Sequence, residues 1–483
     1  MKSQLCARAV CGCVLVALPA LVVLGALGAC SVGPAYHRPQ IPVPPQWQDT
    51  SNNEAAAIWP SADWWHGFGS EKLDELIAEA QRSNDDLAVA IARVQEADAQ
   101  ARIAGAPLLP SLDFTADATR QRGPISGAGA GAGAGVGTGR ATFNTFNPAL
   151  AASYELDFWG KNRALRASAR ATAIASHYDK ETVALTVVSS VATSYFQALE
   201  FRDRLDVARQ NLVNGQKVLR GLQLQQTAGI ATALDVAQQE TTVALLDAAI
   251  PPLQEQFRQI VNALAVLIGK TPESIDVDTG TLISLKSPLV APGLPSQLLS
   301  RRPDVAESEQ QLISANADIT VARAALFPSI QLTAGGGYES SALSSLINPA
   351  SSVWALSAGL TQPIFHGGAL RGQVVFSNAH YAELLSTYHK TVISAFSNVE
   401  NALVAARQTK EQQIRQQKAV DTARRAFQYA QTQMSAGTVN ILNVLNTENA
   451  LFSAQDELVQ VQYLHLQSLV DLFTALGGGW QQG

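Results

Sequence analysis

The sequence predicts a mainly α-helical protein that carries two pairs of membrane-type β-strands, one pair in each of two fused copies of a helix–hairpin–long-helix-pair unit. Three observations lead there: an internal duplication, four segments of apolar/polar alternation, and long proline-free stretches whose apolar residues step by seven. The segment Asp86 to Leu112 returns as Asp304 to Ile330, with Asp86/Asp304, Pro110/Pro328 and Ser111/Ser329 all 218 residues apart. Phe158 and Gly160 recur as Phe365 and Gly367, 207 apart, and Ala228-Gly229 recurs as Ala436-Gly437, 208 apart. The offset falls by about ten residues where the first copy carries the glycine-rich tract Gly123 to Arg140, an insertion in a loop. A period this long is not a solenoid repeat. The copies span 61–285 and 286–483.

The N-terminus sets the compartment. Lys2 and Arg8 precede an apolar run, Val14 to Leu27, that is interrupted by Pro19 and is shorter than the ~20 residues of a membrane-spanning helix. Residues 1–29 therefore read as a secretory signal peptide. It ends in Leu27-Gly28-Ala29-Cys30, which looks like a bacterial lipobox, so Cys30 is the expected lipidation site, carrying covalent diacylglycerol and an N-acyl chain. The alternative is an ordinary signal peptide with an incidental cysteine. Cys6, Cys11 and Cys13 lie inside the removed segment, which leaves Cys30 alone in the mature chain and no disulfide or thiolate metal site within one subunit. Ser31 in place of the aspartate that commonly retains such lipoproteins at the inner membrane favours the outer membrane. Residues 30–60, rich in Pro, Asn and Gln, read as an extended tether. A formal charge of −6 with 15% charged residues offers no nucleic-acid surface.

Each copy opens with a helix, Glu71 to Arg102 and roughly Ser296 to Arg323, the first broken and recapped at Asn84-Asp85-Asp86. Strands follow at about 111–122 and 148–159, then 329–340 and 352–363. Leu112, Phe114, Ala116 and Ala118 alternate with Asp113, Thr115, Asp117 and Thr119; Leu150, Ala152, Tyr154, Leu156 and Phe158 alternate with Ala151, Ser153, Glu155 and Asp157. One such segment alone would read as a half-buried strand of a soluble sandwich. Four of them, about ten residues each, beside a lipoprotein signal, read as tilted strands of an outer-membrane barrel. Four strands cannot close a barrel and open edges are not tolerated in lipid, so an oligomer is predicted. Asp113, Asp117, Glu155 and Asp157 would then line a wet pore.

Long helices close each copy, at about 162–227 and 235–268, then 368–435 and 443–475. Val191, Ala198, Leu205, Leu212 and Leu219 step by seven, as do Leu385, Val392, Val399 and Ala406. A 60-residue arm at 1.5 Å per residue reaches roughly 90 Å, a periplasm-scale distance. Short turns join the arms at Ala228-Gly229 to Leu234-Asp235-Val236 and at Ala436-Gly437 to Leu442-Asn443-Val444.

Enzyme readings lack a constellation. The seven histidines show no metal-ligand spacing, there is no GxSxG elbow or P-loop, and the tract's glycines from Gly127 to Gly139 fall only on odd numbers, which excludes GxGxxG. A non-channel periplasmic coiled-coil lipoprotein, an adaptor or tether, would explain the anchor and the seams but not the four strands.

The blocks Leu299-Ser300-Arg301-Arg302-Pro303-Asp304-Val305, Ala315-Asn316-Ala317, Ala322-Arg323-Ala324-Ala325 and Phe327-Pro328-Ser329-Ile330 resemble the signature of the TolC-like outer-membrane factors, lipoprotein branch. Trp64-Trp65 with Phe68, Gln362-Pro363-Ile364-Phe365 with Gly367-Gly368, and Asn398-Val399-Glu400-Asn401-Ala402-Leu403 match further blocks of it. The resemblance implies a homotrimer forming a 12-stranded β-barrel on a long α-helical barrel. It also implies the exit duct of a tripartite efflux system, passing drugs or other small molecules from an inner-membrane efflux transporter and a periplasmic adaptor to the exterior, with no chemistry of its own. On that reading Gly229, Leu234, Asp235, Val236, Gly437, Leu442, Asn443 and Val444 are the adaptor-docking tips. One departure concerns the gate. Members often close the tip with a ring of aspartates on the second turn, whereas Thr438 to Thr447 holds asparagines and no carboxylate, so Asn440 and Asn443 become the candidate periplasmic gate.

Overall fold

The structure, a computed structural model, describes residues 32–48, 59–124, 140–277, 280–290 and 293–480. The signal segment, Cys30 and most of the glycine-rich tract lie outside the described residues. Two helices, α1 (Glu71–Ser83) and α2 (Asp85–Gly105), lead to the hairpin β1 (Ser111–Pro124) and β2 (Arg140–Leu156), then to α3 (Lys161–Thr227), α4 (Ala233–Ala248) and α5 (Ile250–Leu267). The second copy supplies α6 (Pro303–Ala324), the hairpin β3 (Ser329–Tyr338) and β4 (Ser352–Thr361), α7 (Ala369–Ser435) and α8 (Ile441–Ala475).

Local chemistry explains the boundaries. The Asn84 side chain accepts from the Leu87 N–H at 2.9 Å, which separates α1 from α2. Gly160 and Gly367, which the duplication pairs, both hold positive φ (79° and 57°) ahead of the long helices, a backbone region that disfavours any Cβ. Both α3 and α7 run 67 residues. The return arm expected at 235–268 is instead two helices, because Pro251 and Pro252 lack amide donors and restart the chain as the first turn of α5. The helix expected from about Ser296 is a single turn at Pro295–Leu298 followed by α6.

The described parts of Met1–Pro39, Glu96–Ala173 and Gln310–Leu385 form one compact unit, and those of Gln40–Gln95, Ile174–Glu309 and Ser386–Gly483 form the other. Each takes segments from both copies. The first contains an antiparallel meander in the order β1-β2-β3-β4, so the hairpins of the two copies join directly through β2 and β3. Trp159 stacks on Phe327 at 4.6 Å and donates to the Pro328 carbonyl at 2.8 Å, which ties the copies together again. The second unit holds the main core, where Phe68, Leu73, Ile77, Val191, Phe196, Leu199, Leu264 and Phe473 are fully or almost fully buried. The seven-residue steps mark buried positions: Val191 and Ala198 lie in this core, and Val392 and Val399 are fully buried as well. Arg302 grips Asp304 through two nitrogens (3.0 and 2.7 Å) and donates to the Ala475 carbonyl at 2.9 Å, which satisfies the C-terminus of α8.

Candidate functional site: the strand faces and the helical tips

The register decides which residues share a face, because opposed residues in an antiparallel ladder point the same way. Leu112 faces Ala152, Phe114 faces Leu150, Tyr154 faces Leu332, Leu156 faces Ile330, and Gly336 faces Trp354. These form one apolar side. The other side carries Asp113, Thr115, Asp117, Ser153, Glu155, Gln331, Thr333 and Ser357, with hydroxyl pairs at Ser111/Ser153 (2.8 Å) and Thr333/Ser357 (2.7 Å). Leu112, Phe114, Trp354 and Leu356 are all largely exposed in the single chain. The wall is therefore one strand layer thick, apolar on one side and hydroxylated and acidic on the other.

Two corrections apply to the strand limits and the carboxylates. β2 begins at Arg140 rather than at 148 and ends at Leu156 rather than at 159. Asp157 is consequently not a pore-lining strand residue. It has left the ladder to cap α3, accepting from the Asn162 and Arg163 backbone N–H groups at 2.9 Å each and from the Arg163 guanidinium at 3.1 Å. The bare amides of a helix start take an aspartate in preference to a pore. Glu155 keeps its place on the polar face but pairs with Lys161 at 2.9 Å. Asp113 and Asp117 are opposed by Ala151 and Asn147 and have no ion-pair partner among the described residues.

In the second unit the two tips are built alike. At Gly229 (φ 75°) the Ile230 N–H reaches the Gln225 carbonyl at 2.8 Å; at Gly437 (φ 74°) the Thr438 N–H reaches the Gln433 carbonyl at 2.9 Å. Each is a glycine-centred helix stop. Thr232 caps α4 in a reciprocal box with Asp235, and those hydrogen bonds from Thr232 hold the Asp235 carboxyl below its ordinary range. Asn440 caps α8, its side-chain oxygen accepting from the Asn443 backbone N–H at 3.4 Å and also from the Asn443 side-chain amide at 2.9 Å. Asn440 and Asn443, the candidate gate, thus hold each other in a helix cap. Val236 and Val444 are buried in a shared apolar cluster with Leu222, Phe427, Leu445 and Phe452, whereas Leu234 and Leu442 point outward, 66% and 48% exposed.

One feature of this end was not legible in the sequence. Glu448 of α8 is fully buried, and its nearest polar partner is the Gln239 amide, which donates to the Gly215 carbonyl at 3.1 Å and to the Glu448 carboxyl at 3.5 Å. One oxygen of each side chain has no hydrogen-bond partner among the described residues. Burial pushes the Glu448 carboxyl up to about 7, only partly opposed by Gln239. A glutamate seven residues into a helix otherwise reads as a solvated side chain, so nothing in the sequence marks it.

The sequence matches the outer membrane efflux protein family twice, over residues 76–270 and 294–478. The chain belongs to that family. Pyoverdine export outer membrane protein OpmQ of Pseudomonas aeruginosa is 40% identical over 458 residues, 94% of this chain and 95% of the relative. Cation efflux system protein CusC of Escherichia coli is 34% identical over 470 residues, 96% of this chain and 99% of the relative. Among solved structures, the outer-membrane channel OprN superposes with a TM-score of 0.86 at 25% identity, over 94% of this chain and 100% of that one. A structure of CusC superposes with a TM-score of 0.82 at 31% identity, over 93% and 100%. The efflux protein is thus an outer-membrane channel with the TolC-like fold, an exit duct of an efflux system. The reading as a non-channel coiled-coil lipoprotein falls with that result.

Proposed function

We propose that three copies of this chain assemble edge to edge, β1 of one against β4 of the next, into a 12-stranded barrel that crosses the outer membrane, continued by the helices as an α-helical barrel in the periplasm. The observation that carries the proposal is the four-stranded sheet with two open edges. Backbone groups left unpaired in lipid cost several kcal/mol each, and the smallest closed barrels of that membrane have eight strands. Ile364 and Phe365, both almost fully exposed just after β4, add apolar surface that a neighbouring subunit or lipid would cover.

In this assembly Cys30 carries diacylglycerol and an N-acyl chain. Support comes from the tether: a Cβ on Gly33 would stand 1.7 Å from the Thr320 hydroxyl, and the Pro34 carbonyl accepts from Asn316 at 3.1 Å, so the chain three residues after Cys30 is seated on α6 one turn from its end. The turns at Gly229, Leu234, Asp235, Val236 and at Gly437, Leu442, Asn443, Val444 meet the hairpins of a periplasmic adaptor, which links the duct to an inner-membrane efflux transporter. Leu234 and Leu442 are the apolar contacts and the two valines are the support beneath them. The gate at the tip works through hydrogen-bonded asparagines and apolar contacts rather than carboxylate repulsion. The names of the two relatives cite pyoverdine and a cation, so one fold serves ducts for very unlike cargoes. Selection therefore belongs to the transporter, and the duct conducts passively.

The test is a cysteine scan of β1 against β4 in the purified protein, read by cross-linked species and by conductance in planar bilayers. Inter-chain cross-links that stop at three chains, together with discrete conductance, are expected. Cross-links only within one chain, or a non-conducting monomer, would refute the assembly.

A further inference from the structure

β1 and β2 run well beyond the second hairpin, and the register shows what they carry there. Ala118 faces Phe146, and outward on the same apolar side come the pairs Arg120/Asn144 and Arg122/Thr142 and then Arg140. Phe146 also bridges to Ser340, which places Tyr338 of β3 one pleat below that row and Arg120 one pleat above it. Reading outward along this side, apolar residues give way to aromatic ones (Trp354, Tyr338, Phe146) and these to three arginines in succession. All three arginines are exposed, and among the described residues none pairs with a carboxylate.

The spacing locates them. Arg120 stands eight residues from Leu112, about 27 Å along a strand and about 21 Å of height at a 40° tilt, near the top of an apolar band about 25 Å tall. β1's start and β2's finish lead into α2 and α3, whose nearest turns carry Asp98 and Arg102 and then Lys161, Arg163, Arg166 and Arg170, charges that belong in water at the periplasmic end, so the arginine end is the extracellular one. An arginine just outside the apolar band lays its methylene stem along the acyl boundary and its fork at headgroup level, where it grips phosphate through paired N–H groups.

We propose that Arg120, Arg122 and Arg140 form a docking surface for the phosphorylated glycolipid of the outer leaflet, three guanidinium groups on the lipid-facing side of each subunit. The proposal deepens the barrel assignment and rests on it. Charge complementarity commits the occupant: an anionic, phosphate-bearing headgroup attached to acyl chains satisfies the arginines and the apolar band beneath them together.

The experiment uses the full-length trimer in detergent with bis-phosphorylated lipid A as the probe, binding being followed by native mass spectrometry against dephosphorylated lipid A. The wild-type protein should retain lipid A with an affinity that falls as salt rises, and removal of the phosphates or the combined change Arg120→Gln, Arg122→Gln, Arg140→Gln should each weaken binding on the order of tenfold. The corresponding triple change to Lys should restore much of it. Binding that is indifferent to the phosphates or to the Gln changes would overturn the proposal. Should the triple variant fail to assemble, the three single changes are measured instead, and three unchanged affinities would overturn it equally. Conductance separates the two ideas: a conducting trimer without phosphate-dependent binding refutes only the glycolipid surface, and a protein that neither conducts nor trimerises refutes the barrel.

Discussion

Replacing Glu448 by Gln should stabilise the protein at neutral and alkaline pH while leaving it unchanged in acid. The carboxyl is fully buried, no cation stands beside it among the described residues, and the Gln239 amide is a long 3.5 Å away. Burial raises it from an ordinary 4.5 to about 7. In the unfolded chain the group loses its proton near 4.5, whereas the native state keeps it to about 7. Between these values the folded state binds more protons, so stability is fully present below pH 4.5 and is lost as pH rises through 7. The difference of about 2.5 pH units, at about 1.4 kcal/mol each, is about 3 kcal/mol per subunit by pH 8. Glutamine stays neutral throughout and its amide can donate to the orphaned Gln239 oxygen, so the variant should forgo this loss. Urea unfolding of the detergent-solubilised protein, followed by far-ultraviolet circular dichroism at pH 4.5 and pH 8, gives the comparison. Other, half-buried carboxyls such as Glu307, also raised to about 7, tilt both profiles equally, so the difference between the two proteins isolates Glu448. Parallel profiles, or a variant weaker than wild type at pH 8, would show that the carboxyl is solvated and that the packing between α4 and α8 is not as described.

Further expectations follow from the wall, the anchor and the tips. With Glu155 paired and Asp157 in a helix cap, Asp113 and Asp117 are, among the described strand residues, the unneutralised charges of the polar face, so the open pore should prefer cations most strongly at low salt. Asp113→Asn with Asp117→Asn should abolish that preference in reversal-potential measurements, Glu155→Gln should not, and anion selectivity in the unmodified protein would invert the facing assignment. Cys30→Ser should eliminate metabolic labelling by fatty acid yet leave a membrane-inserted trimer, because twelve strands bury far more apolar surface than acyl chains do; a soluble monomer would contradict the barrel. At the tips, Leu234→Asp and Leu442→Asp should raise drug sensitivity without lowering trimer yield. They are cleaner than Gly437→Trp, which would also force a side chain into a left-handed backbone at about 1–2 kcal/mol.

The sequence by itself determined whatever follows from periodicity and from local backbone chemistry. Alternation by two placed Leu112, Phe114 and Tyr154 on one side of the sheet and Asp113, Asp117 and Glu155 on the other, because a pleated strand leaves no third option. Steps of seven marked Val191, Val392 and Val399 for burial, and the paired glycines at 229 and 437 marked the ends of the long arms. Tertiary structure decided where a residue had two acceptable partners. Asp157 continues the alternation of β2 in sequence, yet the unpaired amides at the start of α3 claim it. Arg140 to Asn147 contains too many polar residues to announce a strand, and only the ladder against β1 makes it one. Glu448 reads as a surface glutamate until α3 and α4 close over it, since desolvation depends on what the rest of the chain brings near and not on the residue itself.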